Sequence, residues 1–322
     1  MLFRFLLCAA LASSTLFAAT GCRSNKAKKE AEKADAFAWN RGFGDERISE
    51  DVHSAVNSAR KKMRNPDMNL PPVDLSRASS VTYSSVRVNG PFVAMTFDDG
   101  PHPTLTPRLL DILKDRNVRA TFFVLAPLAK RHPQIIQRMI REGHEVANHT
   151  VTHGNIAKMS PDKVRSELRG GHEAIVQASG RPPTLFRPPY GAIQSSQKVW
   201  INDEFGYKTI MWNVDPRDWQ DRKPGLVSSR LINGAKPGAI LLAHDIHSTT
   251  IAAMPSALDG ILAKGYRFVT VSQLISMERP AAIAAGEKKP LGAGLAVEDE
   301  VAEARADDPA PLPLDAGPSA VR

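Results

Sequence analysis

Between residues 91 and 271, short apolar runs recur along the chain, and longer stretches with helical spacing fall between them. The runs are PFVAMTF, RATFFVL, HEVAN, TLFRPP, KTIMWNV, AILLAHD and YRFVTV, each of strand length and rich in β-branched or aromatic residues. The intervening segments include TPRLLDILKDR, HPQIIQRMIREG, SPDKVRSELRGGHEAIVQASG and PSALDGILAKG. Several of these open on Ser-Pro or Pro, where a missing N–H costs nothing, and close on Gly, which ends a helix without strain. Strands alternating with helices must run parallel, because each crossover returns the chain to the same edge. Seven such units predict an α/β fold, a distorted and incomplete (β/α)7 barrel.

With 322 residues, the chain has room for one domain of about 200 residues and two flanks. Residues 1–21, MLFRFLLCAALASSTLFAATG, carry one charge, an apolar run and then small residues, the pattern of an export signal. The apolar run is short for a membrane span. Cys22 follows in ATGC, which resembles the lipobox of bacterial lipoproteins with Ala19 in place of the usual leucine. The expectation is a lipidated Cys22 and attachment to a bacterial membrane through that anchor alone. The alternative is ordinary cleavage near Ala18 or Ala19. The only other cysteine, Cys8, lies within the signal, so no internal disulfide is available to the mature chain.

Residues 22–90 read as a tether and lead-in, with a possible helix at Ser49 to Arg64. Residues 91–277 read as the catalytic domain, and 278–322, rich in Ala, Gly, Pro and acidic residues, as a disordered tail. The net charge of +8 would suit nucleic acid, but no Lys/Arg block is interleaved with aromatics, and export argues against such a partner. A basic surface suits an anionic cell envelope equally well. No protein partner is evident.

In a barrel of this kind the chemistry sits at the C-terminal ends of the strands. Asp98 and Asp99 end the first run in TFDDGPHP, while His149 and His153, in NHTVTH, follow the third. Arg187 in FRPPYG ends the fourth, Asp215, Asp218 and Trp219 in VDPRDW follow the fifth, and His244 in LLAHD ends the sixth. Asp-Gly and Gly-Pro are turn formers, so the paired aspartates alone could be structural. Two carboxylates side by side in a poorly solvated place otherwise call for a cation. His149-x-x-x-His153 puts two imidazoles about one turn apart, and a carboxylate from a neighbouring strand end completes a two-His, one-carboxylate set, the donor set of catalytic zinc. His53, His102, His132, His144 and His172 read as surface or core residues, and His247 is left open.

The motifs TFDDGPHP, NHTVTH, RPPYG, DPRDW and LLAHD occur in the order of the five motifs of polysaccharide deacetylases, and the segment from Phe92 to Met277 resembles these NodB-like carbohydrate esterases. The resemblance implies a barrel of the NodB-homology type, a divalent metal (zinc, with cobalt possible) and hydrolysis of N-acetyl groups on an N-acetylated glycan. It assigns Asp99, His149 and His153 to the metal and Asp98 to general base catalysis. Arg187 would pair with Asp98, and the backbone N–H of Tyr190, stiffened by Pro188 and Pro189, would meet the oxyanion together with the metal. His244 would be the general acid, supported by Asp218 or, failing that, Asp215. Pro189, Trp219 and Leu242 would line the substrate. An O-acetyl esterase acting on acetylxylan and a non-catalytic glycan-binding barrel are the competing readings.

Overall fold

The computed structural model describes residues 63–279. The export signal, Cys22, the tether, the tail from residue 280 and all but the last two residues of the helix expected at Ser49 to Arg64 lie outside them.

Among the described residues eight parallel strands form one sheet: β1 (Thr82–Tyr83), β2 (Phe92–Asp98), β3 (Thr121–Val124), β4 (Glu145–Asn148), β5 (Leu185–Phe186), β6 (Lys208–Ile210), β7 (Ile240–Leu241) and β8 (Arg267–Val269). Their order is β1-β6-β5-β4-β3-β2-β7, with β8 beside the opening half of β2. A parallel bridge between Val214 and Leu241 brings the β6 end of the sheet round to β7, so the sheet curls into a barrel. The barrel is distorted because β5 and β7 hydrogen-bond over only two residues each. Strand β5 stops at Phe186, just before Arg187 and two prolines that have no N–H to offer a ladder. The seven expected strands are β2 to β8. The two-residue β1, in the polar lead-in, gave no periodic signal.

Around the sheet lie α1 (Leu105–Asp115), α2 (Ala126–Arg131), α3 (Pro133–Arg141), α4 (Pro161–Ser179), α5 (Ser195–Phe205), α6 (Pro224–Gly234), α7 (Ser248–Ala263) and α8 (Val271–Ser276). In α4 the Ser160 hydroxyl accepts from the Lys163 N–H, Pro161 occupies the first turn, and Gly180 closes the helix at φ 71°. The spacing predicted α1, α3 and α4 but only the second half of α7, which starts at Ser248 and carries Pro255 inside it. Burial of Ile251, Ala253 and Met254 offsets the hydrogen bond that Pro255 removes. Helix α5 escaped the reading because it buries only Gln197 and Ile201, too few residues to show a stripe.

The strand period decides what faces the barrel interior. Along β2, Val93, Met95 and Phe97 pack outward with Leu109, Leu113, Phe122 and Ile136 beneath the helices. Ala94 points the other way, with Phe123, Ala147, Leu185, Ile240 and Val269. Each fully buried large side chain contributes about 1.5–3 kcal/mol. Asp98 is in phase with Ala94 and Thr96, so the pleat carries its carboxylate to the inner face at the strand's C-terminal end.

Residues on both sides of 91–277 belong to the packed unit. The Asn65 side chain donates to the Phe268 carbonyl and accepts from the Phe268 N–H, both at 2.9 Å. Glu278 accepts from the Ser79 N–H, the Ser79 hydroxyl and the Tyr83 hydroxyl.

Candidate active site

Three strand ends build the centre of the site. Asp99, one residue beyond β2, has φ 74°, which turns its carboxylate toward the loop after β4. Its Oδ1 lies 3.4 Å from His149 Nε2 and 3.2 Å from His153 Nε2. The two imidazoles stand edge to face at 5.0 Å. Thr150 and His153 are also left-handed, at φ 75° and 55°. For residues with a Cβ, such backbone costs of order 1–3 kcal/mol each and persists only where its surroundings hold it.

His149 Nδ1 lies 2.8 Å from the Arg187 carbonyl, which can only accept, so Nδ1 carries the proton and Nε2 of the neutral ring is a bare lone pair. That lone pair faces Asp99 Oδ1, a buried atom without a hydrogen-bond donor. Burial pushes the Asp99 carboxyl up, and protons on the two imidazoles, or a cation standing in their place, pull it well below the usual carboxylate range. Lone pairs converging on one point suit a cation. Among the described residues, Asp99, His149 and His153 are the group whose ligand atoms fall within one ion's reach, 4.8 Å of one another. One carboxylate and two imidazoles fit a zinc-type ion and leave coordination positions open.

Behind this group lies Arg187, with no exposed surface. Its Nη1 donates to Asp98 Oδ1 at 2.7 Å and to the Thr96 hydroxyl at 2.8 Å, while Nε and Nη2 donate to the carbonyls of Ile210 and Met211. The guanidinium sits 4.1 Å over the Phe123 ring. Burial lowers the Arg187 pKa and the Asp98 charge opposes that, leaving a satisfied buried ion pair. Asp98 Oδ2 is left 3.9 Å from His149 Nε2, at the edge of the cluster.

A second pair flanks the first. His244 follows β7, and a parallel bridge between Asp98 and His244 sets it beside the paired aspartates. His244 Nδ1 lies 2.8 Å from Asp218 Oδ1, and Asp218 Oδ2 accepts from the His244 N–H and the Thr250 hydroxyl. Burial opposes a charge on His244, but Asp218, joined by Asp99 and Asp98, raises its pKa to about 10. Asp215, the fallback partner, is exposed and instead accepts from the Arg217 N–H in a turn.

Tyr190 sits in a one-turn 3-10 segment, Pro189–Gly191, at φ 61°, and its hydroxyl is 3.2 Å from His153 Nδ1. Trp219 is half-buried; Pro189 and Leu242 are buried. The His247 ring lies tilted against His244, the centroids 5.9 Å apart. Of the histidines read as structural, His144 is buried, with Nδ1 accepting from the Ala120 N–H, and His172 meets the Tyr207 hydroxyl. Two buried groups beside the site were missed. Asp245 accepts from the Thr106 hydroxyl, and its oxygens lie 2.3 Å from where a Cβ on Gly100 would stand, so the turn after Asp99 requires glycine. Glu167 lies on the buried stripe of α4, and a carboxylate at an otherwise apolar period was the available signal.

The polysaccharide deacetylase family model matches residues 85–210. Over 207 residues, 63% of this chain and 96% of the other, the chain is 37% identical to a peptidoglycan-N-acetylglucosamine deacetylase of Bacillus cereus. The chain belongs to the polysaccharide deacetylase family. It is also 40% identical over 182 residues to the peptidoglycan-N-acetylglucosamine deacetylase PgdA of Listeria monocytogenes, matching 56% of this chain but only 38% of that longer protein. The crystal structure of the Bc1960 peptidoglycan N-acetylglucosamine deacetylase superposes with a TM-score of 0.59 at 33% identity, covering 62% of this chain and 95% of the other. In this chain a parallel barrel carries the motifs TFDDGPHP, NHTVTH, RPPYG, DPRDW and LLAHD at its strand ends.

Proposed function

We propose that this polysaccharide deacetylase removes N-acetyl groups from N-acetylglucosamine residues of an envelope glycan, peptidoglycan first among them. The observation that supports this most directly is the placing of a metal-type cluster between the Asp98–Arg187 pair and the His244–Asp218 pair within one barrel mouth. Amide hydrolysis needs an activated water, a stabilised oxyanion and a proton for the leaving amine. Asp99, His149 and His153 would hold a divalent ion, zinc on the chemistry of these donors, and that ion would supply a water of lowered pKa and Lewis-acid polarisation of the acetyl group.

The remaining steps belong to the chain. Asp98, anchored through Oδ1 by Arg187, presents Oδ2 to take the proton of the attacking water. His149, held by the Arg187 carbonyl, keeps Nε2 free of a proton, and Tyr190 orients His153 from its other side. The Tyr190 N–H, set by the proline-stiffened turn, completes the oxyanion site; one such donor is worth about 3 kcal/mol. His244, kept protonated by Asp218, delivers a proton to the departing amine. Pro189, Trp219 and Leu242 border the acetyl group and sugar.

The relatives' names carry the substrate assignment, and the catalytic limits of residues 91–277, the lipid anchor at Cys22 and an extracytoplasmic location are parts of the same proposal. Mass analysis of peptidoglycan and chitooligosaccharides after incubation with zinc-loaded protein is the test. Replacement of one acetyl group by hydrogen per amino sugar, with release of acetate, is the expected mass change. Release of acetate from acetylxylan but from neither amino-sugar polymer would replace the reading with an O-acetyl esterase, and no release from any of them would leave a glycan-binding barrel.

A further inference from the structure

The segment between the two imidazoles turns sharply outside any strand or helix, and apart from the Thr150 carbonyl, which accepts from the Ala126 N–H at the start of α2, its backbone is met by side chains. Two of its amide groups, those of Val151 and Thr152, are met by one side chain from α4. Glu167 Oε2 accepts from the Val151 N–H at 3.0 Å and from the Thr152 N–H at 2.8 Å, and Oε1 accepts from the Thr152 hydroxyl at 2.9 Å. Lys163, one turn earlier, pairs with Oε1 at 3.1 Å. Glu167 is 1% exposed, so this carboxylate is spent on the loop and not on solvent.

The same helix grips the loop a second time through Asn148. Its Oδ1 accepts from the Thr150 N–H, and its Nδ2 donates to the Leu168 carbonyl. The side chain fits only because position 171 is glycine: a Cβ there would stand 2.1 Å from Asn148 Oδ1. Thr150 then accepts from the His153 N–H at 3.2 Å, which passes the constraint to the second imidazole. Both left-handed residues of the segment, Thr150 and His153, are therefore bracketed by groups that α4 holds in place.

We infer that Glu167 is a positioning residue of the metal site: by binding the backbone between His149 and His153 it fixes the distance and angle at which their Nε2 atoms meet Asp99. This rests on the reading of those three residues as metal ligands. A carboxylate suits the task because it accepts from two amides and a hydroxyl at once, whereas an apolar side chain of that volume would take the partner from two part-buried N–H groups. Burial pushes the Glu167 carboxyl up, but these donors overcome it and hold it below its usual value, consistent with an acceptor on duty in the folded state.

The test measures the Zn²⁺ dissociation constant by competition with a chromophoric chelator, the absorption spectrum of the Co²⁺ form and the melting temperature of the metal-free protein. The variants are Glu167→Leu, Glu167→Gln and, as the control, Glu145→Leu. Glu145 is another network carboxylate, accepting from the Thr121 hydroxyl, the Ser272 N–H and the Ser272 hydroxyl at the N-terminal end of β4, the far end from the cluster. Loss of an outer-shell partner costs about 10- to 100-fold in metal affinity. That loss, with a changed Co²⁺ spectrum, is expected for Glu167→Leu. Glu167→Gln keeps one acceptor for the two amides and should recover most of the affinity. Glu145→Leu should lower the melting temperature and leave the Zn²⁺ constant where it was.

Equal Zn²⁺ affinity in the wild type and Glu167→Leu overturns the proposal, as does an equal loss in both Leu variants, which would make the effect one of general stability. Should Glu167→Leu not fold, Thr152→Val removes only the hydroxyl contact, and the proposal then requires a severalfold weaker Zn²⁺ constant for it and none for Glu145→Gln. A wild type that binds neither ion would instead overturn the metal reading itself.

Discussion

Asp218→Asn probes the acid half of the chemistry with little change in shape. Asp218 is fully buried, and its two oxygens receive the His244 N–H, His244 Nδ1 and the Thr250 hydroxyl. An Asn that keeps its oxygen on the backbone N–H and Thr250 presents an NH₂ to His244 Nδ1, so that nitrogen must give up its proton and the ring becomes neutral. In the wild type the distance between about 10 and the ordinary 6.5 corresponds to about 5 kcal/mol in favour of the imidazolium. Asp99 supplies part of this, and a cation in the cluster cancels that part, so the metal-loaded enzyme should lose activity between those two values as pH rises.

Without the Asp218 charge, burial takes over and the pKa falls below 6.5. At pH 8, fewer than about one molecule in 30 then carries the acid proton, a loss that alone reaches about 30-fold. Losing the oriented donor as well brings the total to about 10²- to 10⁴-fold. The assay is kcat/KM against pH from 6 to 10 on a chitooligosaccharide, with zinc content determined on the same samples. The alkaline limb should move down by more than one pH unit while metal content stays constant. An unmoved limb in a folded, zinc-loaded variant would refute the assignment of His244 and Asp218.

The paired aspartates should separate by metal content. Asp99→Asn is expected to lose zinc affinity and activity together, with partial recovery in excess metal, whereas Asp98→Asn keeps its zinc and loses about 10²- to 10⁴-fold in rate; the opposite pattern would exchange their roles. Truncation after Arg279 should leave the melting temperature unchanged, while truncation after Met277 removes the three side-chain hydrogen bonds of Glu278 and the Arg279 N–H bond to the Arg87 carbonyl at a cost of about 2 kcal/mol, some 4–8 °C by thermal melt. Equal melting points would show that Glu278 contributes nothing. Cys22→Ser should shift the protein from the membrane fraction to the soluble one, and a wild type already soluble with a mature N-terminus upstream of Cys22 would rule out lipidation.

What the sequence determines here is local. Apolar runs of strand length between helical spacings specify seven of the eight strands, because period and length are properties of consecutive residues. Ser160-Pro161 and Gly180 mark the ends of α4 by the same logic, since a cap is satisfied within a turn. Each motif at a strand end is likewise a short string, and the five strings in order suffice to name the family. The weak periods failed: α5, with two buried residues, and β1, with two residues in all, carry too little pattern to be seen.

Tertiary structure decided the pairings. Asp215 and Asp218 look alike in VDPRDW, and only the approach of β7 shows that Asp218 meets His244, 26 residues away, while Asp215 closes a turn. The Arg187 side chain reaches Asp98 across 89 residues, and its own carbonyl fixes the tautomer of His149. Glu167 was legible only as a misplaced charge on an apolar stripe until the loop it holds came into contact with it. A side chain's type is written in the chain, but the group that satisfies it is set by which strand ends the barrel brings together, and hydrogen bonds at 3 Å depend on that packing alone.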